Sequence, residues 1–145
     1  MSTAVYEIMH AQSDEEIMKC FDILKVLRPH LEKEEFVNLV RTLEKEGYKL
    51  IFIADAKGVK SAAGYRITSH LAWGKVLYID DLITLPEARG TGFGTHLIKW
   101  LMGEAKKNSC DGIHLDTGIR HEEAHRLYLN LGMKIDGLHL SMHFD

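Results

Sequence analysis

The sequence predicts one domain of the α/β (α+β) class. Segments of period-2 and helical periodicity follow one another as strand, two helices, three strands, helix, strand, helix, and a last strand or hairpin. A glycine-rich stretch, Arg89-Gly90-Thr91-Gly92-Phe93-Gly94, joins a strand-like apolar run to a helix-like one. The chain has 145 residues, 46% hydrophobic and 27% charged, with no repeat, low-complexity tract or linker, which fits one core and one continuous domain over 1–145.

Val5 to His10 alternates as a first strand. Ser13-Asp14-Glu15-Glu16 is a capping box and opens a helix to about Leu27 that buries Ile17, Cys20, Phe21 and Leu24. Pro29 ends it, because proline lacks the donor and restricts the residue before it. A second helix from about Glu32 to Glu46 aligns Phe36, Val40 and Leu43 and stops at Gly47. Tyr48 to Ala54 and Val59 to Ser69 read as a hairpin around Asp55-Ala56-Lys57-Gly58, and Lys75 to Leu85 as the next strand. A helix from Thr95 to Lys107 then carries Leu97, Ile98, Leu101, Met102 and Ala105 on one face. Gly112 to Thr117 reads as a short strand, His121 to Leu131 as a helix stopped by Gly132, and Met133 to Phe144 as the last strands.

Composition narrows the function. No apolar run approaches the ~20 residues of a membrane span, and the N-terminus has no signal-peptide pattern, so a cytoplasmic location and no membrane partner are expected. A net charge of −3 without a basic stripe argues against nucleic acid and would favour a cationic small molecule. Cys20 and Cys110 lack metal or disulfide spacing and read as free thiols.

A strand-to-helix turn this rich in glycine is suited to a phosphate. Glycines turn successive backbone N–H groups toward one point, and the following helix adds unpaired N–H groups and the positive end of its dipole. Spacing then separates the families that use such turns. The dinucleotide pattern G-x-G-x-x-G fails, because Thr95 or Leu97 stands where the third glycine is needed. The mononucleotide loop fails too, since no Gly-Lys-Ser or Gly-Lys-Thr occurs. What remains is Arg89-x-x-Gly92-x-Gly94, preceded by Pro86-Glu87-Ala88.

That stretch resembles the Q/R-x-x-G-x-G/A signature of the GNAT superfamily of acyl-CoA-dependent N-acyltransferases. A second GNAT signature, roughly N-x-x-A-x-x-L/F-Y-x-x-x-G-F, is matched by residues 121–133, with Ala124, Leu127, Tyr128 and Gly132 in place, His121 for the usual Asn and Met133 for the usual Phe. The resemblance implies a mixed, mostly antiparallel central sheet of about six to seven strands flanked by four helices. It also implies acetyl transfer from acetyl-CoA to the primary amine of a small molecule. Arg89, Gly90, Thr91, Gly92, Phe93, Gly94 and Thr95 would then cradle the pyrophosphate, with Leu82, Ile83 and Thr84 meeting the acetyl group and His121 and Tyr128 near the cofactor. Tyr128 would protonate the departing thiolate; with a phenol of pKa about 10 and a thiol of about 8.5 that transfer is uphill by about 1.5 units, so the phenolate must regain a proton as the reaction completes.

Asp80 and Asp81 interrupt a strand that should be apolar, and buried carboxylates need partners or a task. The resemblance puts Asp80 at the base position. Asp81 is the alternative, because adjacent strand residues point to opposite faces. Arg120-His121 and Ala124-His125-Arg126-Leu127-Tyr128 also look like a pattern of bacterial aminoalkylphosphonate acetyltransferases, in which Arg120 and Arg126 would meet a phosphonate or the cofactor phosphates. Small amines, with aminophosphonates and polyamines as subclasses, therefore rank ahead of a protein or peptide amine. An acyl-CoA-binding module without catalysis is a further alternative, and the resemblance leaves a homodimer open.

His121-Glu122-Glu123-Ala124-His125 also spells the H-E-x-x-H zinc-peptidase motif. Its extended form fails at Tyr128 and Leu131, and only His139 and His143 remain downstream as a third ligand. No metal is expected.

Overall fold

The computed structural model describes residues 6–118 and 121–144. Val5 and Arg120, which figure in the readings above, lie outside them. The chain divides into two compact units, Met1–His114 and Leu115–Asp145.

The first unit is built on a sheet of strand order β1-β2-β3-β4-β5, comprising β1 (Met9–His10), β2 (Lys49–Asp55), β3 (Gly58–His70), β4 (Gly74–Thr84) and β5 (Gly112–Leu115). The first three pairings are antiparallel. Three helices precede β2, namely α1 (Asp14–Lys19), α2 (Phe21–Leu27) and α3 (Lys33–Glu44), and α4 (Phe93–Lys107) crosses from β4 to β5.

The capping box forms as predicted. Glu16 N–H donates to Ser13 Oγ at 3.1 Å and Ser13 N–H donates to Glu16 Oε1 at 2.9 Å; that second bond, with one from Gln12 N–H to the same oxygen at 3.2 Å, holds the Glu16 carboxyl below its usual range. The single helix expected from Ser13 to Leu27 is instead two, joined at Cys20. The break lets both pieces present side chains to one cluster: Ile17, Cys20, Phe21, Ile23 and Leu24 pack with Phe36 and Val40 of α3. Gly47, at φ +92°, turns the chain out of α3 into β2, a conformation that glycine adopts without a Cβ clash.

Alternation in β2 assigns its two faces. Leu50 and Phe52 join the cluster under α1–α3, while Ile51 and Ile53, fully buried, point the other way. On that side α4 buries Leu97, Ile98 and Leu101, and Trp100 meets the Tyr65 ring edge-on at 6.0 Å. The sheet thus has apolar cover on both faces, with β4 packed between its layers.

The second unit contains α5 (Glu122–Asn130), which ends at Gly132, φ +95°. Residues 133–144 form no strand, contrary to expectation. Their period-2 apolar row, Leu138, Leu140, Met142 and Phe144, is 78–88% exposed, so alternation is present without a pairing partner among the described residues. The class stands, but the described residues hold five strands rather than six to seven and five α-helices rather than four.

Candidate active site

The register between β3 and β4 slips once. Gly64 lies opposite Asp81 and Tyr65 opposite Ile79, so Asp80 is an extra residue on β4. Such a bulge breaks the ordinary alternation of side chains. Asp80 and Asp81 therefore line the same cavity, of about 800 Å³, and do not point to opposite faces as the strand period predicts.

Each carboxylate has its own guanidinium. Arg66 of β3 donates to Asp80 Oδ2 from Nε at 3.0 Å and from Nη2 at 2.6 Å. Arg28, just past α2, donates from Nε to Asp81 Oδ1 at 3.0 Å and from Nη2 to the Asp80 carbonyl at 2.9 Å. Tyr48 donates its hydroxyl to Asp81 Oδ2 at 2.8 Å. Asp81 thus has both oxygens engaged, whereas both Arg66 bonds to Asp80 fall on one oxygen.

Burial raises the Asp80 pKa above the usual carboxylate range, and the Arg66 hydrogen bonds and charge oppose that rise. Burial, followed by the Asp81 charge, drives the Tyr48 phenol well above its ordinary value. Tyr48 therefore stays protonated and acts as a donor to Asp81. Gly64 makes room for it: a Cβ at Gly64 would collide with the Tyr48 ring and hydroxyl.

Beyond the bulge, Leu82, Ile83 and Thr84 pair with Ala63, Ala62 and Ser61 of β3. Ser61, buried, donates to the Ile83 carbonyl at 3.0 Å and lies 2.9 Å from Thr84 Oγ1. On the other side, Asp111 N–H donates to the Lys75 carbonyl at 2.6 Å, so the four-residue β5 starts near the beginning of β4. Leu82 to Thr84 consequently extend past β5, with one edge of their backbone unpaired by it.

After a 3₁₀ turn over Pro86–Ala88, the chain enters the glycine stretch. Thr91 Oγ1 donates to the Ala88 carbonyl and closes that turn. Gly90 and Gly92 have φ of +82° and +88°, and a Cβ on either would meet nothing within 4 Å, so open space lies before the loop. α4 begins at Phe93, two residues earlier than predicted, so Phe93, Gly94 and Thr95 belong to its first turn. No side chain caps that turn and it contains no acid, so its N–H groups remain available for an anion. Phe93 is buried and meets Tyr6 edge-on at 5.0 Å, anchoring the helix start, while the Arg89 side chain is exposed.

In the second unit, His121 occupies the N-cap position of α5 without a side-chain capping bond, and Tyr128 lies on the helix, half-buried. Burial raises the Tyr128 pKa. His125 Nε2 lies 2.7 Å from the Gly118 carbonyl, which requires a proton on that nitrogen, and His139 pairs with Asp116 at 3.3 Å. No group of three or more His, Cys, Asp or Glu that could hold a metal ion occurs among the described residues.

The structure therefore brings Asp80 and Asp81 together and sets Leu82 to Thr95 directly after them in one unit; His121 and Tyr128 belong to the other. Sequence reasoning missed Arg28, Tyr48, Gly64 and Arg66. Arg66 carried a readable signal, since a charge inside a strand otherwise rich in small and apolar residues calls for an opposite charge on the neighbouring strand.

Comparison with known proteins accords with this geometry. The acetyltransferase (GNAT) family model matches residues 7–133. The chain is 27% identical over 126 residues to the uncharacterized N-acetyltransferase YhdJ of Bacillus subtilis (strain 168), covering 86% of this chain and 89% of that protein. It is 38% identical over 56 residues, 39% of this chain and 36% of the relative, to an aminoalkylphosphonate N-acetyltransferase of Salmonella typhimurium. Among solved structures, a transcriptional regulator from Bacillus halodurans superposes with a TM-score of 0.77 at 27% identity, over 97% of this chain and 100% of that one. A glucosamine-6-phosphate N-acetyltransferase from Arabidopsis thaliana superposes with a TM-score of 0.78 at 20% identity, over 98% of this chain and 100% of that one, which speaks for the fold. With the family model spanning all but the ends of the sequence, the chain belongs to the acetyltransferase (GNAT) family, and its enzyme class is N-acetyltransferase.

Proposed function

We propose that this enzyme transfers an acetyl group from acetyl-CoA to the primary amine of a small molecule, with residues 1–145 acting as one cytoplasmic GNAT domain. The observation that carries the acceptor side is the pair of carboxylates brought into one cavity by the β4 bulge: Arg28 and Tyr48 engage both oxygens of Asp81, whereas both Arg66 bonds to Asp80 fall on one oxygen. On the donor side, the fit rests on Gly90 and Gly92, whose open faces precede the uncapped first turn of α4. When bound, acetyl-CoA supplies an activated acetyl group on a good leaving thiol.

The chain's own groups divide the remaining work. Asp80 attracts the ammonium and takes one proton, the freed lone pair bonds to the acetyl carbon as the carbon–sulfur bond breaks, and the second proton shed by the acylated nitrogen restores the Tyr128 phenol through solvent. Asp81, held by Arg28 and Tyr48, orients the bulge. The backbone edge at Leu82 to Thr84 that β5 does not reach positions the acetyl oxygen, residues 89–95 hold the phosphates, and His121 lies near the cofactor. Tyr128, kept protonated by its raised pKa, donates to the leaving sulfur.

The test is acetyl-CoA turnover against a panel of small amines, read as free thiol, together with thermal melting. Acetyl-CoA should raise Tm by mass action, and Gly92→Asp should abolish that rise by placing a charged side chain in the open space before the loop. Stabilisation without any accepted amine would make the chain a binding module. Stabilisation by NAD or ATP but not acetyl-CoA would overturn the proposal.

A further inference from the structure

The cavity beside Asp80 sets a balanced ionic cluster against apolar walls that include Leu24, Leu31, Phe36 and Leu39. Arg28 and Arg66 face Asp80 and Asp81, and His30 and His70 are the other titratable nitrogen bases lining it. With the histidines neutral, the charges cancel. A diamine or polyamine would bring two or more positive charges into a half-buried site whose carboxylates already have partners, and the cost of desolvating them would go uncompensated. A molecule with one amine and one anion would leave the balance intact.

Arg28 is the group placed to receive that anion. Its side chain is 44% exposed, against 17–21% for Asp81, Asp80 and Arg66, so it forms the accessible end of the ionic cluster. Two of its five N–H bonds are spent on Asp81 and the Asp80 carbonyl, which leaves three for an oxyanion in the fork geometry that suits carboxylate or phosphonate. Its position is fixed from below: Lys25 Nζ donates to the Pro29 carbonyl at 3.0 Å and the Leu31 carbonyl at 2.7 Å, and Leu31 N–H donates back to the Arg28 carbonyl at 3.1 Å. His30, exposed on the same turn, also lines the cavity.

Resting on the amine-acetylation reading above, we infer that the acceptor is a short zwitterion. Its amine meets Asp80, and its oxyanion, a carboxylate or a phosphonate, is held by Arg28. The spacer between them is short because Arg28 Nη2 already touches the backbone of Asp80 at 2.9 Å.

The experiment compares acceptors of matched length: 2-aminoethylphosphonate and β-alanine against propylamine and 1,3-diaminopropane, with acetyl-CoA as donor. The anionic pair should exceed the others at least tenfold in kcat/KM, and the better of the two identifies the head group. Arg28→Gln should raise KM for the anionic pair at least about tenfold more than for propylamine, whose smaller loss reports the loosened bulge alone, and the excess should be partly rescued by Arg28→Lys. Propylphosphonate, which has no amine, should raise the Tm of the wild type but not of Arg28→Gln, a readout independent of turnover. Equal or better rates with propylamine or the diamine, or an equal loss for all acceptors in Arg28→Gln, would overturn the inference while leaving amine acetylation standing. If none of the four is acetylated and propylphosphonate gives no shift, both readings fall; a shift without turnover would keep the anion site and sink the reaction.

Discussion

Asp80 and Asp81 are neighbours in sequence with different environments, and that difference sets their expected behaviour. An alkyl amine with a pKa near 10 is about one part in a thousand unprotonated at neutral pH. Asp80→Asn should therefore lower kcat/KM most near pH 7, with partial recovery as pH rises and free amine becomes abundant. If Asp81→Asn shows that recovery instead, the two acids exchange roles. Arg66 opposes the upward shift of the Asp80 pKa, so Arg66→Gln should let it rise further and move the acid limb of kcat/KM to higher pH. A pH profile with an unmoved limb would detach Arg66 from the base. For Tyr128, substitution by Phe keeps the ring but removes the proton, and kcat should fall by roughly 10²-fold with little change in Tm. Unchanged turnover would place the leaving-group acid elsewhere. The acids and the tyrosine stood out as candidates because a charge in an apolar strand and a motif-matched phenol are sequence signals. Arg28 was not, since an arginine before a proline at a helix end has an ordinary solvated role in most chains.

At the scale of elements, the glycine turn was readable and the β4 bulge was not. Glycine spacing is written in the residues, whereas a bulge depends on how two strands align over their length. The expectation that Asp80 and Asp81 diverge followed from an unbroken period of two, and the slip beside Gly64 cancelled it. Gly64→Ala tests the device that holds this alignment. The added methyl must displace the Tyr48 ring from Asp81, and overpacking together with a lost buried hydrogen bond should destabilise the protein by roughly 1–3 kcal/mol. Acetyl transfer should weaken in parallel. A denaturant midpoint and turnover both equal to wild type would show that Tyr48 relocates freely and that Gly64 imposes nothing on the site.

For the whole molecule, the order of elements was legible almost from end to end, because helical and strand periods differ plainly over segments of ten residues. The strand count was less so: residues 133–144 carry the alternation of a strand, but pairing is a property of the partner edge, which the pattern does not encode. The break at Cys20 was equally hidden, since Ile17, Cys20, Phe21 and Leu24 keep helical spacing across it. That break has a chemical consequence. Burial, with the Glu16 charge second, pushes the Cys20 thiol up to about 12, whereas Cys110 is half-buried. At pH 8 only roughly one Cys20 in ten thousand is thiolate, the form that reacts, and it lies behind packed helices. A disulfide reagent mixed with native enzyme should count one fast thiol per chain, a fixed background to the coenzyme released in turnover. The second thiol should appear at the rate at which the helical layer opens, so Cys20 is a built-in clock for that opening. Two fast thiols in the folded protein would mean that the layer over Cys20 is already loose.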